Sequence, residues 1–390
     1  MALALAHQFN GDARIALVDP ASHEPSTKSD PRAWALAAAS TQMLKALDIW
    51  ASVAPHAQAV TEIEITDSPL EAGIRPVLLS YENQTDSGAP AAHIVPNQVL
   101  LDTLRAAVRA PDSQAIALLE GRSIACCDTQ PDGVVVTLDD GAELDADLLI
   151  AADGRKSQLR ETAGIQCLKW PYRQHGIVTT VSHERPHGGR AVQHFLPGGP
   201  FAILPLSGAR SCITWSEEAA AAERIMSLGD DAFRGELQRR FGGKLGLIEL
   251  AGPRASFPLG MQLARSFIAP RLALIGDAAH SVHPIAGQGL NLALRDVAAL
   301  SECVANGARA GLSCGDATIL ERYQTWRRFD STLSAGTFDA INRLFSNDVA
   351  LLRSAREVGL GLVDRSDGLK RFFVNEAAGL SGEVPRIMRE

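Results

Sequence analysis

The strongest constraint on this fold is the segment over residues 272–300, which reads LALIGDAAHSVHPIAGQGLNLALRDVAAL. An apolar run ends at Gly276 and Asp277, a turn rich in proline and glycine follows, and apolar residues then recur at helical spacing. This order predicts a strand, a loop and the start of a helix. The first amides of such a helix lack internal partners and carry partial positive charge, so they suit an anion or an electron-rich carbonyl.

Three residues of this segment are candidates for contact with a planar ligand. Gly287 and Gly289 carry no side chain, so a flat ring can approach the backbone closely. Asp277 follows the predicted strand directly, where its carboxylate can accept hydrogen bonds from ligand hydroxyl groups.

The segment resembles the FAD-contacting motif of the flavoprotein aromatic hydroxylases. Its stretch HPIAGQGLN, residues 283–291, is most similar to the ubiquinone-biosynthesis hydroxylases, the 2-polyprenylphenol hydroxylases. The resemblance implies that Asp277 holds the ribityl chain and that the backbone from Gly287 to Asn291 faces the pyrimidine edge of the flavin. There the helix dipole would stabilise negative charge on the reduced ring. The residues assigned to this contact are Gly276, Asp277, Pro284, Gly287, Gln288, Gly289, Leu290 and Asn291.

A second motif, DGRKSQLR at residues 153–160, resembles the D-G-x-x-S-x-x-R motif that the family links to FAD and NAD(P)H. Its assigned residues are Asp153, Gly154, Ser157 and Arg160. The Arg160 guanidinium can offer a fork of donors to a phosphate. Asp153 can bind a hydroxyl group or hold Arg160 in place.

Two further residues match flavin contacts of the family. Arg32 precedes a helix predicted over residues 35–47, at the position of an FAD-contacting arginine. Gln98 precedes a second predicted helix, over residues 99–108, for which Asn97 is a candidate cap, and it resembles an amide near the flavin.

The beginning of the chain resembles the second half of a dinucleotide-binding βαβ unit. A helix is predicted over residues 1–9 and a strand over residues 13–18, and Asp19 then stands where such units bind a ribose hydroxyl. No G-x-G-x-x-G turn occurs in the chain. We expect the first strand and this turn, about 15–25 residues of a ~30-residue unit, to be missing before Met1, through a late start or a truncation. The main pyrophosphate cradle would be missing with them.

Length and composition narrow the class of protein. A chain of 390 residues favours two domains. The net charge of −8, without a basic stripe, argues against nucleic acid as a partner. No apolar run is long enough to cross a bilayer, and six cysteines without C-x-x-C spacing are typical of a reduced, cytoplasmic protein.

The patterns and the resemblance together predict an α/β protein with an α+β insert, similar to para-hydroxybenzoate hydroxylase. Its FAD/NAD(P)-binding Rossmann-like domain is expected over residues 1–65, 95–170 and 255–310. An antiparallel-sheet substrate domain is expected over residues 66–94 and 171–254, and C-terminal helices over residues 311–390.

The resemblance implies an FAD-dependent monooxygenase that uses NAD(P)H and O2 to hydroxylate a polyprenylated phenol through a flavin C4a-hydroperoxide. Other ubiquinone-biosynthesis proteins and the inner membrane face are its implied partners. Two alternatives stay open. One is a hydroxylase of a small soluble phenol, which needs a closed polar pocket with a carboxylate-binding arginine, whereas a prenylated substrate needs an open apolar channel. The other is a flavin-free scaffold protein, which only the missing glycine turn supports.

Overall fold

The computed structural model describes residues 1–21, 30–70, 75–110, 115–196, 198–282, 287–345 and 366–389. The helices are α1 (Ala2–Gln8), α2 (Ala38–Ala46), α3 (Trp50–Val53), α4 (Asn97–Arg109), α5 (Gln158–Thr162), α6 (Ala219–Met226), α7 (Asp230–Phe241), α8 (Gly289–Arg309), α9 (Ala317–Phe345) and α10 (Asp367–Ala377).

The strands are short in the first part of the chain and long in the middle. They are β1 (Ile15–Asp19), β2 (Ala33–Ala37), β3 (Gln58–Ala59), β4 (Glu62–Asp67), β5 (Val77–Glu82), β6 (Ala92–Pro96), β7 (Ile116–Glu120), β8 (Ile124–Thr129), β9 (Val134–Leu138), β10 (Glu143–Ala146), β11 (Leu149–Ala151), β12 (Cys167–His183), β13 (Arg190–Leu196), β14 (Gly199–Leu206), β15 (Arg210–Glu218), β16 (Ile248–Leu250), β17 (Ala255–Ala264), β18 (Ile268–Ala269), β19 (Leu272–Leu274) and β20 (His280–Ser281).

Parallel strand pairs form the layer expected of a dinucleotide-binding domain. β1 pairs in parallel with β7, and β11 pairs in parallel with β19. Helices α8 and α9 pack beside β19, where Leu274, Leu300 and Tyr323 are at most 1% exposed. Full burial of each such side chain contributes about 1.5–3 kcal/mol. The Tyr323 hydroxyl donates to the Leu274 carbonyl at 2.7 Å, which satisfies the one polar group in this contact.

A nine-stranded sheet forms the second layer, in the order β20-β17-β12-β15-β14-β13-β4-β5, with β16 beside β12. Successive side chains of a strand point to opposite faces. On β15, Ile213 and Trp215 pack against α6 and α7, whereas Cys212 and Thr214 point to the other face. We call this other face the cavity face, because it forms one wall of the large cavity described below.

These layers confirm the predicted fold class, and β8, β9 and β10 form a further antiparallel unit. The predicted domain boundaries stay a prediction. The sheet, however, continues through β17, beyond the residue 254 boundary proposed for the substrate domain. The strand and glycine turn expected before Met1 lie outside the chain, so that expectation also stays a prediction.

Several local predictions need correction. The helix predicted over residues 35–47 begins only at Ala38, because residues 33–37 form β2 and pair with β6. Asn97 does not cap α4: its amide accepts from Trp34 Nε1 and donates to Asp30. Of the C-terminal helical region predicted over residues 311–390, residues 346–365 and 390 lie outside the described residues. Within the described ranges, no helix is both long and apolar enough to cross a membrane.

Candidate active site

A cavity of about 820 Å³ lies between the cavity face of the large sheet, the β2–β6 pair and the turn that follows β19. Most of its wall is apolar. The side chains of its wall that carry a charged or polar group are Arg32, Trp34, Tyr81, Asn83, Arg155, Gln193, Thr214, Asp277, Ser281, Gln288 and Lys370.

Asp277 stands on the short turn Gly276–Ala278, directly after β19, and its carboxyl group opens into the cavity. Burial of this group raises its pKa, and the positive charges of His280, Arg155 and Arg32 act in the opposite direction. A carboxylate that is poorly solvated and faces a cavity gains most from hydrogen bonds donated by a ligand.

Asp296 on α8 holds this turn from behind. Its fully buried carboxylate accepts from the Gly276 amide at 3.0 Å, from His280 Nε2 at 2.6 Å and from Arg327 Nε at 2.9 Å. Burial acts to raise the pKa of Asp296, but His280 and Arg327 outweigh it, and the pKa is lowered. Arg327 also reaches Asp330 at 2.7 Å. A buried ion cluster therefore fixes the path of the turn that presents Asp277.

The glycine-rich loop reaches the same cavity through Gly287 and Gln288. Gly287 has φ +63° and lies against Ala35, whose Cβ would be 3.2 Å from a Cβ added at Gly287. A side chain at this position would be strained and crowded, which explains the glycine. Gln288 provides no side-chain cap for α8, so the first amides of the helix are left for another partner.

The Asn291 side chain does not line the cavity as Gly287 and Gln288 do, but forms hydrogen bonds within the fold. Its Oδ1 accepts from the Ala37 amide at 3.0 Å and from the Ser40 hydroxyl at 2.8 Å, and its Nδ2 donates to the Ala35 carbonyl at 2.8 Å. The Asn291 side chain thus ties α8 to the corner between β2 and α2. Leu290 is half-buried against the apolar cluster beside α2.

The second motif serves mainly to join two turns. The Arg160 side chain is buried, and its guanidinium donates to the Ala278 carbonyl at 2.9 Å and to the Arg155 carbonyl at 3.1 Å. This corrects the expectation that Arg160 offers its donors to a phosphate. Ser157 is the buried cap of α5, accepting from the Arg160 amide, and the exposed Asp153 accepts from the Leu159 amide at 3.3 Å. Gly154 forms the turn with φ +81°.

The remaining predicted residues are spread more widely. Arg32 reaches the cavity wall, paired with Asp30 at 2.6 Å and 5.3 Å from the centre of the Phe257 ring. Gln98 is exposed and donates to Asp102, so its side chain does not line the cavity. Asp19 ends β1, where its carboxylate accepts from the Ala21 amide at 2.9 Å. Pro284 lies outside the described residues.

Two residues of the site were missed from the sequence. Arg155 lines the cavity, and Gly260 makes room for it, since a Cβ at Gly260 would lie 2.5 Å from its Nη2 atom. Asp296 was also missed, although a carboxylate on the apolar side of a predicted helix was a usable signal. Such a residue is almost never fully buried unless it is paired.

The described residues fit FAD. The cavity holds an acceptor at Asp277, cationic groups at Arg32 and Arg155, and an uncapped helix beginning beside Gly287. A flavin needs these three features, which are an acceptor for ribityl hydroxyls, donors for its carbonyl edge and a backbone open to close approach.

The fold is shared by solved FAD-dependent monooxygenases. A family model described as "FAD binding domain" matches residues 5–329. PnpA of Pseudomonas putida, p-nitrophenol 4-monooxygenase, has a TM-score of 0.77 at 16% identity, over 98% of this chain and 95% of that one. PqsL of P. aeruginosa, solved with 2-aminobenzoylacetate, has a TM-score of 0.74 at 21% identity, over 92% and 95%. The class is that of FAD-dependent aromatic monooxygenases.

Closer relatives narrow this class. Ubiquinone hydroxylase UbiL of Rhodospirillum rubrum is 41% identical over 363 residues, covering 92% of this chain and 83% of that protein. The 3-demethoxyubiquinol 3-hydroxylase of Escherichia coli is 32% identical over 97% of this chain and 95% of its own length. Mouse COQ6, a mitochondrial ubiquinone biosynthesis monooxygenase, is 30% identical over 95% and 86%. The chain belongs to the ubiquinone-hydroxylase family of FAD-binding monooxygenases.

Replacement of Asp296 tests whether the buried cluster supports cofactor binding. Asp296→Asn keeps the shape but removes the charge that Arg327 faces, and breaking such a pair costs about 3–5 kcal/mol of unfolding free energy. We expect FAD affinity to fall about tenfold as well, because the turn bearing Asp277 loses its anchor. Fluorescence titration with FAD and urea unfolding measure the two effects.

Glu302→Gln is the matched control, since Glu302 lies on the same helix and binds Arg386 at 2.8 Å away from the turn. It should lower stability and leave FAD affinity unchanged. Equal FAD affinities of the two variants would contradict the anchoring role.

Proposed function

We propose that this protein hydroxylates the aromatic ring of a polyprenylated phenol in ubiquinone biosynthesis, using FAD, NAD(P)H and O2. The observation that carries the proposal is the large, mainly apolar cavity that begins at the candidate flavin-binding turn. A long isoprenoid tail needs such a channel.

The cavity reaches the surface of the protein. A substrate that is longer than the cavity needs such an opening. Phe373 and Phe257 both line it, yet they are 46% and 39% exposed. Besides Asp277, the wall includes Ile65, Leu79 and other apolar side chains, and residues of α10. A tail can therefore lie along the sheet with its end outside.

A small soluble phenol is less well supported as the substrate. Its carboxylate would need an arginine in a closed polar pocket, but this cavity reaches the surface and the wall around Arg155 is largely apolar. The flavin-free scaffold alternative is less well supported, because the features that suit a flavin lie at one cavity. They are the acceptor Asp277, the cationic groups of Arg32 and Arg155, and the uncapped start of α8.

In the proposed reaction the chain positions and shields the reactants. FAD, when bound, supplies the reducing equivalents from NAD(P)H and the activated oxygen. Asp277 would hold the ribityl hydroxyls, and the amides at the start of α8 would stabilise negative charge at the pyrimidine edge. The apolar wall would exclude water from the ring of the substrate.

We also propose that the protein contacts the membrane surface through α10. Leu369, Phe372 and Phe373 follow one another at helical spacing and are 44%, 58% and 46% exposed. Arg371 lies on the same helix, is exposed and suits anionic headgroups. Because Phe373 belongs to both this patch and the cavity wall, a substrate leaving the bilayer here would enter the cavity directly.

The substrate proposal predicts hydroxylation of 2-farnesylphenol. With FAD, NADH or NADPH and air, the product should gain one oxygen atom by mass spectrometry, and oxygen from ¹⁸O2 should appear in it. A holoprotein that oxidises NAD(P)H without hydroxylating this compound, but hydroxylates tail-free phenols, would support the small-phenol alternative instead.

Asp277→Asn should weaken FAD binding by about 10- to 100-fold, because the hydrogen bonds of ribityl hydroxyls to a charged acceptor are lost.

The raised pKa of Asp277 makes the native apoprotein bind more protons than the unfolded chain, so this group lowers stability as pH rises. The variant apoprotein should therefore gain stability relative to wild type at pH ~7 but not at pH ~3.5. Urea unfolding at both pH values measures this, and a gain at both would contradict the assignment.

The membrane proposal predicts that the double variant Leu369→Ser, Phe372→Ser sediments less with anionic vesicles of phosphatidylglycerol. Neither residue lines the cavity, so turnover of 2-farnesylphenol in detergent should not change. Turnover of a longer-chain phenol embedded in vesicles should fall. Leu247→Ser, which changes a residue 62% exposed elsewhere, is the control, and equal vesicle binding by both proteins would exclude α10 as the contact.

A further inference from the structure

We propose that Gln193, on β13, is a specificity-determining residue that donates a hydrogen bond to an oxygen substituent on the substrate ring. The inference rests on the proposed function. It adds that Gln193 is the residue that recognises the aromatic head group of the substrate. Nothing in the two motifs that resemble the family points to this residue.

Gln193 is a polar exception on an apolar wall. It points into the cavity with Ala191 and Phe195, its neighbours on the same face of β13. In the sheet register it lies between Ala202 of β14 and Ile65 of β4, both of which also line the cavity. Its amide group is thus surrounded by apolar side chains on the strand and across it.

The Gln193 amide nitrogen is buried and has no hydrogen-bond partner among the described residues. The other side-chain atoms of this kind in that part of the structure belong to Thr41, Ser68, His93, Arg295 and Arg327, and none of these residues lines the cavity. A buried donor without an acceptor costs stability, so its presence in a ligand cavity needs an explanation. When the side-chain amide rotates toward the cavity that Gln193 lines, a ligand oxygen atom at this wall supplies the missing acceptor.

The same row of the sheet holds a second polar residue. Thr214 of β15 pairs with Ala202 in the register, so Gln193 and Thr214 flank this small residue on the cavity face. Two strand spacings separate them by about 9–10 Å. Ala202 leaves space between the two polar side chains, which is where an aromatic ring carrying oxygen substituents fits.

Gln193→Leu tests the proposal with a pair of compounds, 2-farnesylphenol and farnesylbenzene, which differ by the ring oxygen. Binding to the holoprotein is measured by the change in flavin absorbance. The ratio of the Kd for farnesylbenzene to the Kd for 2-farnesylphenol should be about tenfold larger for wild type than for the variant. Of the four pairs of protein and compound, only wild type with 2-farnesylphenol can form the hydrogen bond. The melting temperature of the variant should be unchanged or raised, because the unpaired donor is gone.

Leu204→Met changes another cavity-lining residue at nearly constant volume, and it should keep the wild-type preference between the two compounds. Equal preference in wild type and Gln193→Leu would overturn the proposal, as would a lower melting temperature with weaker binding of both compounds. If wild-type holoprotein binds neither compound, the proposed substrate class itself fails, and the role of Gln193 fails with it.

Discussion

The buried carboxylate of Asp296 is the interaction on which the site depends. It joins a main-chain amide of the turn, a histidine of the following strand and an arginine of α9, all without access to water. An ion in such a place is stable only while every partner is present. The turn therefore has one defined path, and the carboxyl group of Asp277 on its outer side has one defined direction.

The nine-stranded sheet separates packing from binding. Its far face carries large apolar residues such as Phe201 and Trp215, which are at most 1% exposed beneath α6 and α7. Its cavity face forms one wall of a space of about 820 Å³. Since strand alternation gives each face its own residues, the substrate wall can vary in sequence while the packed face remains intact.

The sequence was sufficient to place Asp277 and Gly287, because a strand, a turn and a helix in that order leave few positions for them. It was insufficient for Arg160, since the spacing of a motif does not give the direction in which a side chain points. Its donors meet the Ala278 carbonyl, 118 residues further along the chain. Residues 33–37 were predicted as part of a helix because alanine and leucine favour helices, but pairing with β6 outweighs that preference. Gln193 has a visible signal, a polar residue between two apolar ones on one face of a strand, but only the tertiary structure shows that its nitrogen is unpaired.

The contacts of Asn291 have a consequence for how the protein matures. This side chain binds Ala35, Ala37 and Ser40, partners more than 250 residues away in sequence. Contacts of such long range form late, because a large loop must close before they can contribute. During synthesis the ribosome must release nearly three quarters of the chain before these partners can meet. A chain interrupted before α8 would therefore lack the Asn291 contacts that hold the corner between β2 and α2 beside the cavity.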